Sequence, residues 1–269
     1  HTMDKDRRKY LGGSDLNRLV HGDDNEWHQL WAEKTGRAEA EDLTDNLAVQ
    51  IGITTEPLNI HWFRKTYEFQ VKEQQWREMN YEGVPCGGTL DGVIEEEPTF
   101  VECKHTYDSN KMVDVAERYM PQMQWYMFLS NLDGCYLSVI FGNRRWEATY
   151  VKKNWSYINE LKLLAKKFWS AVVEDKSPVV EDKPILSIDD IELNDMVARD
   201  ASQDNHFNTL ADEYIEFEQP ARQFERAKKE LKEIVKPNER KVYTDKLVIN
   251  RDKRGSLRFT IPTKKENTQ

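Results

Sequence analysis

The apolar residues of this chain change period near residue 68, and that change limits the folds open to it. Upstream they recur at helical spacing. Trp27, Leu30 and Trp31 share one helix face, ended at Gly36. Leu47, Ile51, Leu58, Trp62 and Phe63 mark a second helical stretch over 45–67, where Pro57 predicts a kink or a fresh start near Thr54-Thr55. A short helix is expected after Ser14, a candidate N-cap. Downstream the period is that of strands: 68–71, then 84–95 interrupted by Gly87-Gly88, then 99–104. A helix over 116–129 follows, then a hairpin from 135–141 and 146–151. Trp155, Ile158, Leu161, Leu164, Phe168 and Trp169 stripe a long amphipathic helix, read as core. The mixture places the chain in the α/β (α+β) class.

Composition narrows the field. Of 269 residues, 38% are hydrophobic and 8 are Trp, which argues against disorder and allows a sizeable core. No run of about 18 apolar residues exists, so no membrane span is expected. His1-Thr2 reads as an expression remnant before Met3, no charged-then-apolar leader follows, and a cytoplasmic location is expected. Cys86, Cys103 and Cys135 form no CxxC pair and are read as buried thiols. The net charge of −9 is unevenly spread: residues 181–220 hold 12 acidic and 2 basic residues, and 221–265 hold 15 basic and 6 acidic. A local groove matters more than the sum, so acidity does not exclude nucleic acid. Pro178 to Pro184 is expected to be a linker, 185–218 partly helical, 221–235 a charged helix and 241–261 a β-hairpin.

The strongest chemical signal is Asp91 followed, after ten residues, by Glu102-Cys103-Lys104. Adjacent strands bring Asp91 near Glu102. Residues 102 and 104 share parity, so both side chains point to one sheet face and Cys103 points to the other. Two hard carboxylates suit Mg²⁺ or Mn²⁺. The lysine can orient or deprotonate a water and stabilise a pentavalent phosphate. The bland alternative is a solvated strand with ordinary charges. Glu56, in Gly52-Ile53-Thr54-Thr55-Glu56, lies on a helix upstream, and Gln122-Met123-Gln124 lies on the helix after the lysine strand. Each alone reads as a surface residue.

A helix with G-x-x-x-E, a strand ending in D-G, a strand with E-x-K and a helix with Q-x-Q, in that order, resembles the PD-(D/E)xK nucleases. More narrowly it resembles the lambda-exonuclease/YqaJ family of viral recombination nucleases, over roughly residues 7–173. Leu90 stands where that family usually has Pro before its first Asp. The resemblance implies a restriction-endonuclease-like core over 4–173 with a mixed central sheet flanked by helices. An acidic helical segment, 174–220, and a basic helix-plus-hairpin appendage, 221–265, would follow. It implies that Asp91, Glu102 and the Cys103 carbonyl hold Mg²⁺, with Mn²⁺ as substitute. Glu56 would serve a second ion or its water shell, Lys104 would act on the nucleophilic water, and Gln122 would place the scissile phosphate or the nucleophile. Arg7, seven residues before Ser14, would bind the 5′-phosphate of a DNA end; a helix N-terminus, a hydroxyl and a guanidinium fork suit an anion on physical grounds as well.

The implied reaction is digestion of linear double-stranded DNA, 5′→3′, leaving a 3′ overhang for phage-type recombination. A single-strand annealing protein would be the partner, a ring-shaped homotrimer the assembly, and a bacterial or phage-infected cell the setting. Three cysteines are one short of a four-thiolate iron–sulfur cluster, so none is expected. The alternatives are an endonuclease of the same superfamily and a catalytically inactive DNA-binding assembly subunit. Trp125 and Tyr126 are read as core rather than base-stacking, and Arg144-Arg145 as exposed turn charge rather than phosphate contacts.

Overall fold

The computed structural model describes residues 6–180, 183–184, 186–191, 193 and 201–262. It divides into two units, residues 1–198 and 199–269. The first opens with a 3-10 turn, Arg7–Lys9, and helices α1 (Gly13–His21), α2 (Asp24–Lys34) and α3 (Leu47–Tyr67). Strands β1 (Val71–Tyr81), β2 (Val84–Ile94) and β3 (Thr99–Thr106) follow, then α4 (Met112–Ser130), β4 (Gly134–Phe141), β5 (Arg145–Lys152) and α5 (Trp155–Val173). The five strands form one sheet in sequence order. Only β3 and β4 run parallel. Parallel neighbours need a crossover, and α4 supplies it.

Helix α3 covers one face of the sheet, where Ile60 and Phe63 pack with Val71, Ile94, Val101 and Cys103. Helices α1, α2, α4 and α5 build the larger core on the other face, around Leu16, Trp27, Phe100, Trp125 and Phe168. Among the described residues no helix is long and apolar enough to cross a membrane.

Three local expectations are corrected. Gly12, not Ser14, caps α1; Asp15 at the third helical position accepts the Gly12 N–H at 2.9 Å. Helix α3 runs unbroken through Pro57. Pro57 lies on the exposed face, where water can satisfy the carbonyl its missing N–H leaves behind. The first strand begins where 68–71 was expected to end and continues to Tyr81. Much of β1 is polar and exposed, as an edge strand allows, so it carries no apolar alternation to read. The β1–β2 hairpin turns through Glu82 and Gly83, both with positive φ.

Strand β2 also runs straight through Gly87-Gly88. A Cβ on Gly88 would lie 2.5 Å from the Tyr126 ring. Gly88→Ala is therefore expected to cost about 1–3 kcal/mol through overpacking, read as a lower melting temperature.

In the second unit, α6 (Asn205–Ile234) spans both acidic and basic stretches and passes through Pro220. Its N-cap is Asp204, which accepts the Phe207 N–H. The expected hairpin gains a strand: β6 (Lys241–Tyr243), β7 (Val248–Arg251) and β8 (Leu257–Thr260) form an antiparallel sheet. Parts of the expected linker and of the acidic stretch lie outside the described residues.

Candidate active site

The site forms where β2 and β3 part. Their ladder pairs Gly92 with Val101 and Val93 with Phe100. The next pair in that register would be Asp91 and Glu102. Instead of a ladder bond, the Asp91 Oδ2 accepts the Cys103 N–H at 2.8 Å. The N–H and C=O of one extended residue project to the same side, so the Cys103 carbonyl faces the same gap. Cys103's side chain packs under α3, as parity required.

Glu102 is 1% exposed and points toward α4. Its Oε1 accepts the Lys104 ammonium and the Gln122 amide, each at 2.6 Å. Its Oε2 is buried and has no hydrogen-bond partner among the described residues. Gln122 is itself braced by α1: Asn17 Nδ2 donates to its Oε1 and Asn17 Oδ1 accepts its N–H, both at 3.0 Å. Lys104 Nζ also lies 4.4 Å from the centroid of the Tyr119 ring, on the same face of α4 as Gln122.

Charge is unbalanced here. Burial pushes the Asp91 carboxyl well above its ordinary range, and the Glu102 and Glu56 charges push further; Lys104 and the Cys103 N–H pull back. Glu56, on α3, is raised by burial and then by Glu102. Burial opposes the Lys104 charge, but Glu102 and Asp91 outweigh it and raise its pKa, so the group stays an ammonium. Three carboxyl groups crowd one ammonium, so an added cation would relieve their mutual repulsion, and among the described residues Glu102 Oε2 has no partner. That donor set fits a hard divalent cation. Among the described residues no three His, Cys, Asp or Glu side chains form a ready metal cluster. Mg²⁺ does not need one; it commonly keeps several waters and takes one or two carboxylates plus phosphate oxygens.

A second cluster lies at the start of α1. Arg7 donates to Ser14 Oγ at 2.7 Å and its side chain is 66% exposed. Below it Lys34 and Asp15 form a buried pair at 2.7 Å. Lys34 Nζ also donates to the carbonyls of Arg7 and Tyr10, at 2.7 and 2.8 Å. The segment carrying Arg7 is thus pinned to α1 and α2. It borders a cleft of about 1160 Å³ lined by basic residues (Arg7, Arg8, Arg18) and acidic ones (Glu26, Glu33, Glu39), with Arg18 engaged by Glu26 and Glu33.

Other candidates have structural duties. Gln124 is buried and ties β5 to α5 through the Lys152 carbonyl and the Asn154 N–H. Trp125 and Tyr126 are core residues. Arg145 is engaged by Glu147 and by the Asp108 and Asn110 carbonyls. Asn17, Tyr119 and Lys34 escaped notice in the sequence. Tyr119 sits three residues before Gln122 on α4, a spacing that could have flagged it; for Asn17 and Lys34 no local signal exists.

This architecture is similar to that of solved exonucleases. An alkaline exonuclease from Laribacter hongkongensis superposes with a TM-score of 0.51 at 15% identity, over 63% of this chain and 90% of that one. A phage-related exonuclease from Haemophilus somnus does so with a TM-score of 0.52 at 14% identity, over 62% and 96%. Residues 4–133 match the YqaJ-like viral recombinase domain. Comparison with curated proteins finds no match.

Proposed function

We propose that the protein is a divalent-metal-dependent deoxyribonuclease that enters linear duplex DNA at a 5′-phosphorylated end. It digests one strand 5′→3′ and leaves a 3′ overhang for a single-strand annealing protein. The observation that carries this reading is the meeting of Asp91, Glu102 and Lys104 at the parting of β2 and β3, with Glu102 Oε2 buried and without a partner among the described residues. The family match and the similarity to solved exonucleases support it.

In this reading Asp91, Glu102 and the Cys103 carbonyl hold Mg²⁺, with Mn²⁺ as a substitute, and Glu56 serves a second ion or its water shell. The oxygen-only donor set favours these ions over softer metals. A bound ion supplies Lewis-acid polarisation of the phosphate. The chain's own groups do the rest. Gln122 fixes Glu102 Oε1 and leaves Oε2 to the site. Lys104, kept as an ammonium, orients the attacking water and opposes the charge that develops on the phosphate. It does so as a cation rather than as a base. Arg7 and Ser14 take the terminal 5′-phosphate, where the first N–H groups of α1 add to the anion's welcome.

Residues 4–173 carry the nuclease; the segments 174–220 and 221–265, which α6 runs across, form a connector and a basic appendage. The working assembly is a homotrimer around DNA, which analytical ultracentrifugation tests.

Time-resolved digestion of end-labelled linear duplex, with Mg²⁺ and with chelator, tests the whole reading. Mononucleotide release from 5′-phosphorylated ends only with Mg²⁺ supports it, and cleavage of closed circles would replace it by an endonuclease. Arg7→Ala is expected to retain cleavage but lose preference for 5′-phosphorylated over 5′-hydroxyl ends by roughly 10-fold, the loss of one charge-assisted contact. Equal end preference in wild type and variant would remove Arg7 from the assignment.

A further inference from the structure

We propose that Gln74 is a positioning residue that sets the Glu56 carboxylate at the metal site. The inference rests on the function proposed above, and three observations meet at this residue. Its φ is +53°, the left-handed region. Among the described residues, the other non-glycine residues with positive φ lie at helix ends or in a turn. Glu68 and Asn131 cap α3 and α4, Glu82 is in the β1–β2 turn, and Asp175 follows α5. Gln74 alone adopts it inside a strand. A side chain with a Cβ resists that conformation, which persists where the surroundings hold it, most often at functional sites.

The β1–β2 ladder is interrupted at the same place, with the register unchanged on either side. Glu73 pairs with Gly92 and Gln75 with Leu90, while Gln74 stands opposite Asp91 outside the ladder. The interruption thus falls against a carboxylate assigned to the metal. The amide shows where the side chain goes: Gln74 Nε2 donates to Glu56 Oε1. Glu56 in turn feels the charges of Glu102 and Lys104. A carboxamide is suited to this task. It fixes one oxygen of Glu56 and leaves the other for a cation or its water. Being neutral, it does so without cancelling the negative charge that attracts the cation, as Lys or Arg would. Residues that orient a ligand in this way are a regular part of metal sites.

Two substitutions separate the amide's reach from the backbone's strain. Gln74→Gly accepts positive φ and removes the amide. Gln74→Asn tolerates the same backbone with a side chain one methylene shorter. Both are expected to melt at or above the wild-type temperature. Both are expected to weaken Mn²⁺ binding to the full-length protein, measured by titration calorimetry, by roughly 10-fold. The Mg²⁺ concentration for half-maximal hydrolysis should rise by the same factor. In a Glu56→Gln background, Gln74→Gly should add no further loss.

Wild-type Mn²⁺ affinity in both variants overturns the positioning role, as does full additivity in the double variant. A wild-type protein that binds and cleaves, beside Gln74 variants that match it, sinks this inference alone. A wild-type protein that neither binds Mn²⁺ nor degrades linear duplex sinks the proposed function and this inference with it.

Discussion

Asp91→Asn is expected to abolish phosphodiester cleavage and, in chelator, to raise the melting temperature by roughly 2–6 °C, about 1–2 kcal/mol. The loss follows because an amide cannot serve as an anionic ligand. The gain follows from the crowding of Asp91 by burial, Glu102 and Glu56. Its folded pKa is raised above the unfolded value, which reverses the usual carboxylate case. The folded protein binds the proton more tightly than the unfolded one, so Asp91 costs stability above its unfolded pKa, and that cost fades as pH falls from the raised pKa toward the unfolded value. The variant's advantage should therefore be largest at neutral pH and shrink on acidification. Asn retains an oxygen for the Cys103 N–H, so that contact need not be lost. Mg²⁺ should reverse the order by stabilising the wild type and leaving the variant unmoved. Thermal melts at pH 7 and pH 5, with and without Mg²⁺, measure all of this. An unchanged or lower melting temperature in chelator would mean that the three carboxylates do not strain one another.

Lys34→Met is expected to destabilise the protein by about 3 kcal/mol, because it removes the close buried cation of Asp15 and leaves only the exposed Arg7, 3.9 Å away. The pair is deeply enclosed, each side chain 4% exposed. The same ammonium ties down the carbonyls of Arg7 and Tyr10, so whatever remains folded should also lose preference for 5′-phosphorylated ends. Adding Asp15→Asn removes the stranded charge and keeps an acceptor for the Gly12 N–H, so the double variant should recover a large part of the stability but not the end preference. Urea unfolding at pH 7 reads the first effect, and competition between phosphorylated and unphosphorylated duplex the second. A single variant within about 1 kcal/mol of wild type would show that Lys34 does not carry this pair.

Much of the fold was legible in the residues. Helices α2, α4 and α5 and the β4–β5 hairpin carry apolar periods strong enough to place them within a few residues. Strand β1 was not, because an edge strand exposes Lys72, Glu73 and Gln74 and needs no buried alternation. Nor was β2 as one strand: Gly87-Gly88 read as a break, yet the sheet needs them bare where Trp76 and Tyr126 press close. The length of α3 was obscured by Pro57, which an exposed helix face tolerates. Ser14 looked like a cap because its type is right; the backbone caps the helix two residues earlier, at Gly12, and leaves the Ser14 hydroxyl to Arg7.

Strand parity is a local rule, set by the pleat of the backbone. The residues alone therefore placed Glu102 and Lys104 on one face and Cys103 on the other. They also supplied the acids, the amine and the amide in an order that matches the family. The parting of β2 and β3, the seat of Gln122 between Glu102 and Asn17, and the reach of Gln74 to Glu56 belong to the tertiary structure. Those contacts join residues 12, 20, 105 and 18 positions apart. Their geometry comes from helices packed across a sheet, which no repeat within a short segment encodes.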